Sequence, residues 1–274
     1  MIKPQVNSVT SFDHQPLYTE SYSNHPHPKY QFVFIHGFGG DSNATLPAIN
    51  QLLHTLPRCQ CITYDLRGHG FSTTKFPSQT FVEQTGALDL QSICHAYSLT
   101  HPIFIGHSFG SIILYQYLLN KLSPQPTNSF LICFPVVSPR LPFRRLLQSF
   151  LSHTSQNLPP NQHKRNLTIH HQLSSTHDIS LTRLYSDYNY SHKYIWLIHL
   201  LIILGYQPQT LSSSSSKLYF LFGQNDVLIQ PKSALKQLPK LVHNYQTKIL
   251  ASNHHNCYTA HFVDLSNYIT NLLT

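Results

Sequence analysis

The stretch His101-Pro102-Ile103-Phe104-Ile105-Gly106-His107-Ser108-Phe109-Gly110-Ser111 constrains the fold more than any other. A short apolar run meets Gly-x-Ser-x-Gly, and an apolar segment of helical character (Ile112, Ile113, Leu114, Tyr117, Leu118) follows at once. The pattern predicts a strand, a sharp turn and a helix. A serine on so tight a turn needs an unusual backbone. A side chain at Gly106 or Gly110 would collide with the neighbouring strand or helix. Such a turn lifts the hydroxyl clear of the sheet, where a base can reach it from one side and a substrate from the other. The helix start aims N–H groups at any negative charge that forms there.

The same alternation runs along most of the chain. Val6, Val9 and Phe12, then Leu17 and Tyr22, predict an edge hairpin around Asp13-His14. Residues 29–36 (KYQFVFIH) form a continuous aromatic and β-branched run, so a buried strand is expected there. It ends in Gly37-Phe38-Gly39-Gly40, and a helical pattern extends through Leu53. A second buried strand, 59–64 (CQCITY), leads into Asp65-Leu66-Arg67-Gly68-His69-Gly70-Phe71-Ser72. Phe81, Ala87, Leu88, Leu90 and Ile93 then mark a helix over about 80–99. After the serine stretch, residues 129–137 (SFLICFPVV) read as another strand. Strands alternating with helices predict a mostly parallel, doubly wound α/β sheet, covered on both faces.

From Ser138 to Ser212 the strand pattern stops, and helical patches alternate with polar, Pro- and His-rich segments. The stretch is too long for a loop inside a compact domain. It is expected to be an inserted helical cap over 138–212, on a core made of 1–137 and 213–274. Ser212–Ser216 reads as a flexible return linker. The sheet pattern resumes at 217–222 (KLYFLF), which ends in Gly223-Gln224-Asn225-Asp226. A helix near 231–238, a last strand at 245–250, the loop Ala251-Ser252-Asn253-His254-His255-Asn256-Cys257 and a closing helix over 259–273 complete the chain.

Four of these motifs, in this order, resemble the α/β-hydrolase fold family in its cap-bearing, esterase- and lipase-like branch of serine hydrolases. They are His36–Gly40, Asp65–Ser72, Gly106–Gly110 and Gly223-x-x-Asp226, with a histidine after the last strand. The resemblance covers the chain outside 138–212. It implies Ser108 as nucleophile, Asp226 as the acid that orients the base, and an oxyanion hole from the backbone N–H groups of Phe38 and Phe109. The base aligns with His255. A shift of one residue makes it His254, because the glycine usual before this histidine is absent. The turn after residue 134, Pro135-Val136-Val137-Ser138-Pro139, offers no carboxylate in the position some relatives use. Ser111 stands where many relatives carry glycine.

The remaining candidates have plainer readings. His36 and His69 shape loops, Asp65 and Arg67 fix a turn, and His107 packs. His163, His170, His171 and His177 are scattered and suggest no metal site, and no cofactor is expected. The five cysteines form no metal or disulfide framework and read as inert core thiols of a reducing, cytoplasmic setting. The net charge of +8 rests on scattered basic residues, so nucleic acid is not an expected partner. The N-terminus lacks the apolar core of a secretion signal. The longest apolar run, Tyr194–Leu204, is far short of the roughly 20 residues of a bilayer span.

The expected reaction is therefore hydrolysis of a carboxylic ester or related acyl compound, with thioester, lactone, amide and carbon–carbon substrates also compatible. A small-to-medium hydrophobic substrate is expected, because Tyr185, Tyr188, Tyr190, Tyr194 and Trp196 suggest an aromatic-lined cap. An interfacial lipase touching a membrane surface is one alternative, and a catalytically silent relative that binds a ligand or partner is another. No feature of the sequence sets an oligomeric state.

Overall fold

The computed structural model describes residues 2–73, 75, 82–136, 193–226, 228–251, 255 and 262–274. Eight strands form one sheet: β1 (Gln5–Thr10), β2 (Pro16–Ser23), β3 (Tyr30–Ile35), β4 (Cys59–Tyr64), β5 (Ile103–His107), β6 (Asn128–Ile132), β7 (Lys217–Gly223) and β8 (Gln246–Leu250). Their order is β1-β2-β4-β3-β5-β6-β7-β8. The β1–β2 hairpin turns where Asp13-His14 predicts it, with His14 at φ 62°, and it joins β4 antiparallel. Every other pairing is parallel.

Helices α1 (Leu46–Thr55), α2 (Val82–Ala96), α3 (Phe109–Leu119), α4 (Lys193–Gly205), α5 (Pro231–Gln237) and α6 (Phe262–Leu273) accompany the sheet. Side chains on a strand alternate between faces, and the core divides accordingly. Phe32, Phe34, Ile105 and Phe130 pack with Leu52 and Ile49 of α1 and Leu265 and Ile269 of α6. Val33, Ile35 and Phe104 pack on the other side with Leu90 and Ile93 of α2, Ile112 and Ile113 of α3, and Trp196 and Leu200 of α4. Emptying one such site, as in Phe34→Ala, costs about 3–5 kcal/mol. α3 is buried almost all round, as expected of a helix whose sequence is apolar on every side.

Two local readings differ from the sequence expectation. The apolar run 129–137 predicts one strand, but β6 ends at Ile132. There Cys133 takes a left-handed backbone, φ 50°, and its N–H bonds to Leu221 O at 2.8 Å. The serine run is not a bare linker: Ser216 is buried and its hydroxyl lies 2.8 Å from that of Ser129. Of the expected cap, residues 138–192 lie outside the described residues; the described part is α4 and the extended return through Leu211, which bridges Val242.

Parallel strands point their carboxyl ends one way, and ligands of open α/β sheets bind at that edge. Gly37-Phe38 follows β3, Ser108 follows β5, Cys133 follows β6 and Asp226 follows β7. His255 lies beyond β8.

Candidate active site

Ser108 sits between β5 and α3 at φ 50° and ψ −112°, a strained conformation for any residue but glycine. The flanking glycines are sterically required. A Cβ at Gly106 would lie 2.6 Å from Gly110 O, and one at Gly110 would lie 2.6 Å from His36 O and strike Ile35 O as well. The first turn of α3 is thereby pressed against Ile35 and His36 at the end of β3. Ser108 N–H donates to Ile132 O at 2.8 Å, and the Ser111 hydroxyl donates to the Ser108 carbonyl. That bond gives Ser111 a role at the position where relatives carry glycine.

His255 joins the other two sequence candidates. Its Nε2 is 2.9 Å from Ser108 Oγ and its Nδ1 is 2.9 Å from Asp226 Oδ2. The second oxygen of Asp226 accepts the backbone N–H groups of Leu228 at 2.8 Å and Ile229 at 2.9 Å. All three side chains are nearly buried; Ser108 keeps 9% of its surface exposed. Burial pushes the Asp226 carboxyl up, but the charge and hydrogen bond of His255, then the two N–H groups, hold it below its ordinary value. Burial likewise opposes an imidazolium at His255, but Asp226 outweighs it and holds His255 well above its ordinary value.

His255 is also held through its own backbone carbonyl. His107 Nε2 is 2.7 Å from the backbone carbonyl of His255, so that nitrogen carries the proton and donates. The Cys133 thiol donates to the same oxygen at 3.3 Å. The plain packing reading of His107 thus misses a partner 148 residues away. The only signal was its place beside Ser108. Cys133 is hidden in an apolar run, where a thiol looks like any small hydrophobe.

Phe38 and Phe109 belong to two separate segments. Phe109 opens α3, and Phe38 follows Gly37, whose own Cβ would stand 2.7 Å from His107 Nδ1. His36 Nε2 accepts Leu66 N–H at 3.0 Å, which leaves its Nδ1–H to donate to Gly37 O at 2.8 Å. Asp65 accepts Ser42 N–H and Phe71 N–H at 2.8 and 2.7 Å. These bonds have the loop-shaping character expected of His36 and Asp65.

His254, Cys257, Tyr185, Tyr188 and Tyr190 lie outside the described residues, and the side chain of Tyr194 is likewise not described. Trp196 is buried with its ring against Phe38. Among the described residues, one group has ligand atoms close enough for a metal ion: Cys133, Asp226 and His255, within 4.8 Å of one another. Each of them already serves the hydrogen bonds above. Also among the described residues, no helix is long and apolar enough to cross a membrane.

Residues 30–260 match the sequence model of the alpha/beta hydrolase fold, and the chain belongs to that family. No curated protein matches it. Its structure is similar to an esterase from Exiguobacterium antarcticum (TM-score 0.70, 15% identity, 98% of each chain covered). It is also similar to the carboxylesterase CesB from Bacillus subtilis (TM-score 0.68, 13% identity, 99% of this chain and 92% of that one). A bromoperoxidase from Bacillus anthracis matches as well (TM-score 0.69, 13% identity, 98% of this chain and 99% of that one). At such identities the likeness is one of fold, and the chemistry has to be argued from the site.

Proposed function

We propose that this protein is a serine hydrolase that cleaves a carboxylic ester or related acyl bond of a small-to-medium hydrophobic substrate. The observation that carries the reading is His255 standing 2.9 Å from both Ser108 Oγ and Asp226 Oδ2. Ser108 attacks the acyl carbonyl while His255 Nε2 takes its proton. Asp226 keeps the proton of the neutral imidazole on Nδ1, so that Nε2 faces the hydroxyl as an acceptor, and it stabilises the imidazolium that follows. The N–H groups of Phe38 and Phe109 receive the oxyanion; each such donor is worth roughly 10²–10³ in rate. His255 then protonates the leaving group, and a water activated by the same imidazole releases the acid from Ser108. Residues 138–212 are assigned as the cap that takes the hydrophobic part of the substrate.

A p-nitrophenyl ester series of rising acyl length tests the reading. Turnover should favour short to medium chains, and Ser108→Ala should abolish it. Equal rates in wild type and Ser108→Ala would remove the mechanism. The exposed Leu197, Ile198 and Leu201 on α4 favour one second reading, an enzyme acting at a lipid surface. That reading requires a rise in rate once the ester passes its solubility limit; a flat profile eliminates it.

A further inference from the structure

Helix α4 lies outside the alternating core pattern, yet two of its residues reach the two segments assigned to the oxyanion. Trp196 and His199 are three apart, so they share one helix face. Both are buried, with 0% and 2% of their surface exposed. The Trp196 ring lies 4.8 Å from that of Phe38, inclined at 45°. The His199 ring stacks on Phe109 at 4.3 Å and 24°. His199 also stacks on His69 at 5.1 Å and 15°, and His69 meets His36 edge-on at 5.2 Å. His36 in turn bonds Gly37 O, the carbonyl just before Phe38. Leu197, Ile198 and Leu201, on the rest of the helix, are exposed. One face of α4 therefore closes a loop of contacts around the elbow: directly onto Phe38, directly onto Phe109, and back to Gly37 through three imidazoles.

We infer that Trp196 and His199 are positioning residues that fix the spacing between the N–H groups of Phe38 and Phe109. The inference rests on the oxyanion roles proposed above. The two N–H groups belong to separate segments, one after β3 and one opening α3. The elbow fixes the second through Gly110 and Ser108. The first lies in a glycine-rich turn, Gly37-Phe38-Gly39-Gly40, tied at Gly37 O by His36 and by Gly40 N–H at 3.1 Å, and the Phe38 ring is the part of it on which α4 bears. Trp196 bears on it, and His199 seats the same helix on Phe109, so the two segments are gauged against one rigid rod. An error of about 1 Å in such a site costs on the order of 10²-fold in rate. The loss belongs to kcat, because the bound substrate carries no oxyanion and the charge develops only as the serine adds.

The test is steady-state ester hydrolysis by Trp196→Leu and His199→Leu. Each should lower kcat by roughly 10- to 100-fold while KM stays within about threefold. A trifluoromethyl ketone, whose hemiketal with Ser108 carries the oxyanion, should lose affinity by the same factor as kcat/KM. His199→Phe keeps a flat ring in the stack and should restore kcat to within about threefold of wild type. A purely structural role would lower the melting temperature and leave kcat of the folded fraction intact, and that result overturns the inference. So does a loss found wholly in KM. If the leucine variants do not fold, Trp196→Phe decides: a smaller ring leaves slack over Phe38, and kcat equal to wild type rejects the role. An inactive wild type whose Ser108 takes no covalent probe would instead sink the hydrolase reading itself. An active wild type with unaffected variants sinks this inference alone.

Discussion

Asn in place of Asp226 would preserve shape and invert the hydrogen bonding. One side-chain oxygen of Asp226 already accepts two backbone N–H groups, from Leu228 and Ile229. An amide placed there keeps its oxygen on those donors and turns its NH2 toward His255 Nδ1. The imidazole must then carry its proton on Nε2, facing Ser108, where it can no longer accept one. Asp226→Asn should lower kcat by on the order of 10⁴, the cost of a wrong tautomer in such a site, with little change in a thermal melt. A fall of less than tenfold would show that Asp226 does not orient the base. On the proposed mechanism the same pair sets the pH profile. His255 is held above its ordinary value of 6.5, and only its neutral form accepts the Ser108 proton, so kcat/KM should rise with pH through a step above 6.5. The linked stability has the opposite sign: it is fully present below 6.5 and is lost as pH rises through the raised value. Where Ser108 and Asp226 sit in the fold was legible, because glycine spacing and strand ends announce such positions. The grip on the His255 carbonyl was not, since the donors at His107 and Cys133 act through folding alone.

Helix α4 shows what periodicity conveys and what it withholds. The stretch Lys193–Leu204 reads as helical, and a helix forms over Lys193–Gly205. The same run is apolar on nearly every side, so no stripe tells which face turns inward. Trp196 and His199 were chosen by the partners waiting on Phe38 and Phe109, which no local pattern encodes. β6 errs in the other direction: an unbroken apolar run hides the turn at Cys133, because burial continues after the backbone has left the sheet. Docking of α4 carries its own pH signature. Burial, then the neighbouring His69 and His36, hold His199 well below its ordinary value of 6.5, so it is neutral in the stack. An unfolded chain takes up that proton and the folded one does not, so this contribution to stability falls as pH drops below 6.5. The melting temperature of wild type should therefore decline from pH 7 to pH 5 more steeply than that of His199→Phe. Parallel declines would show that His199 is not buried as a neutral ring.

At the scale of the molecule, strand–helix alternation made the sheet class readable, but the order β1-β2-β4-β3 depends on crossovers that leave no mark in any one segment. One tie across that order is ionic. Arg67, in the loop after β4, forks onto Asp89 of α2 at 2.7 and 2.7 Å and onto Asp13 of the β1–β2 turn at 2.6 and 2.9 Å. Burial pushes the Asp89 carboxyl up to about 6 against the pull of Arg67, whereas the Arg67 hydrogen bond holds Asp13 down to about 2. The Asp13 contribution is present above pH 3.8 and is lost as pH falls toward 2. Arg67→Met strands Asp89 inside the protein and should cost about 3–5 kcal/mol in urea unfolding. Arg67→Met with Asp89→Leu should recover much of that; a single variant as stable as wild type would refute the tie. The central claim, that this folded edge arms Ser108, meets its most direct test in the intact mass of the protein after exposure to a fluorophosphonate. The account predicts one adduct per chain, mapped to the peptide that holds Ser108, and none on Ser108→Ala. An unmodified, folded wild type, or an adduct that persists in Ser108→Ala, would contradict it.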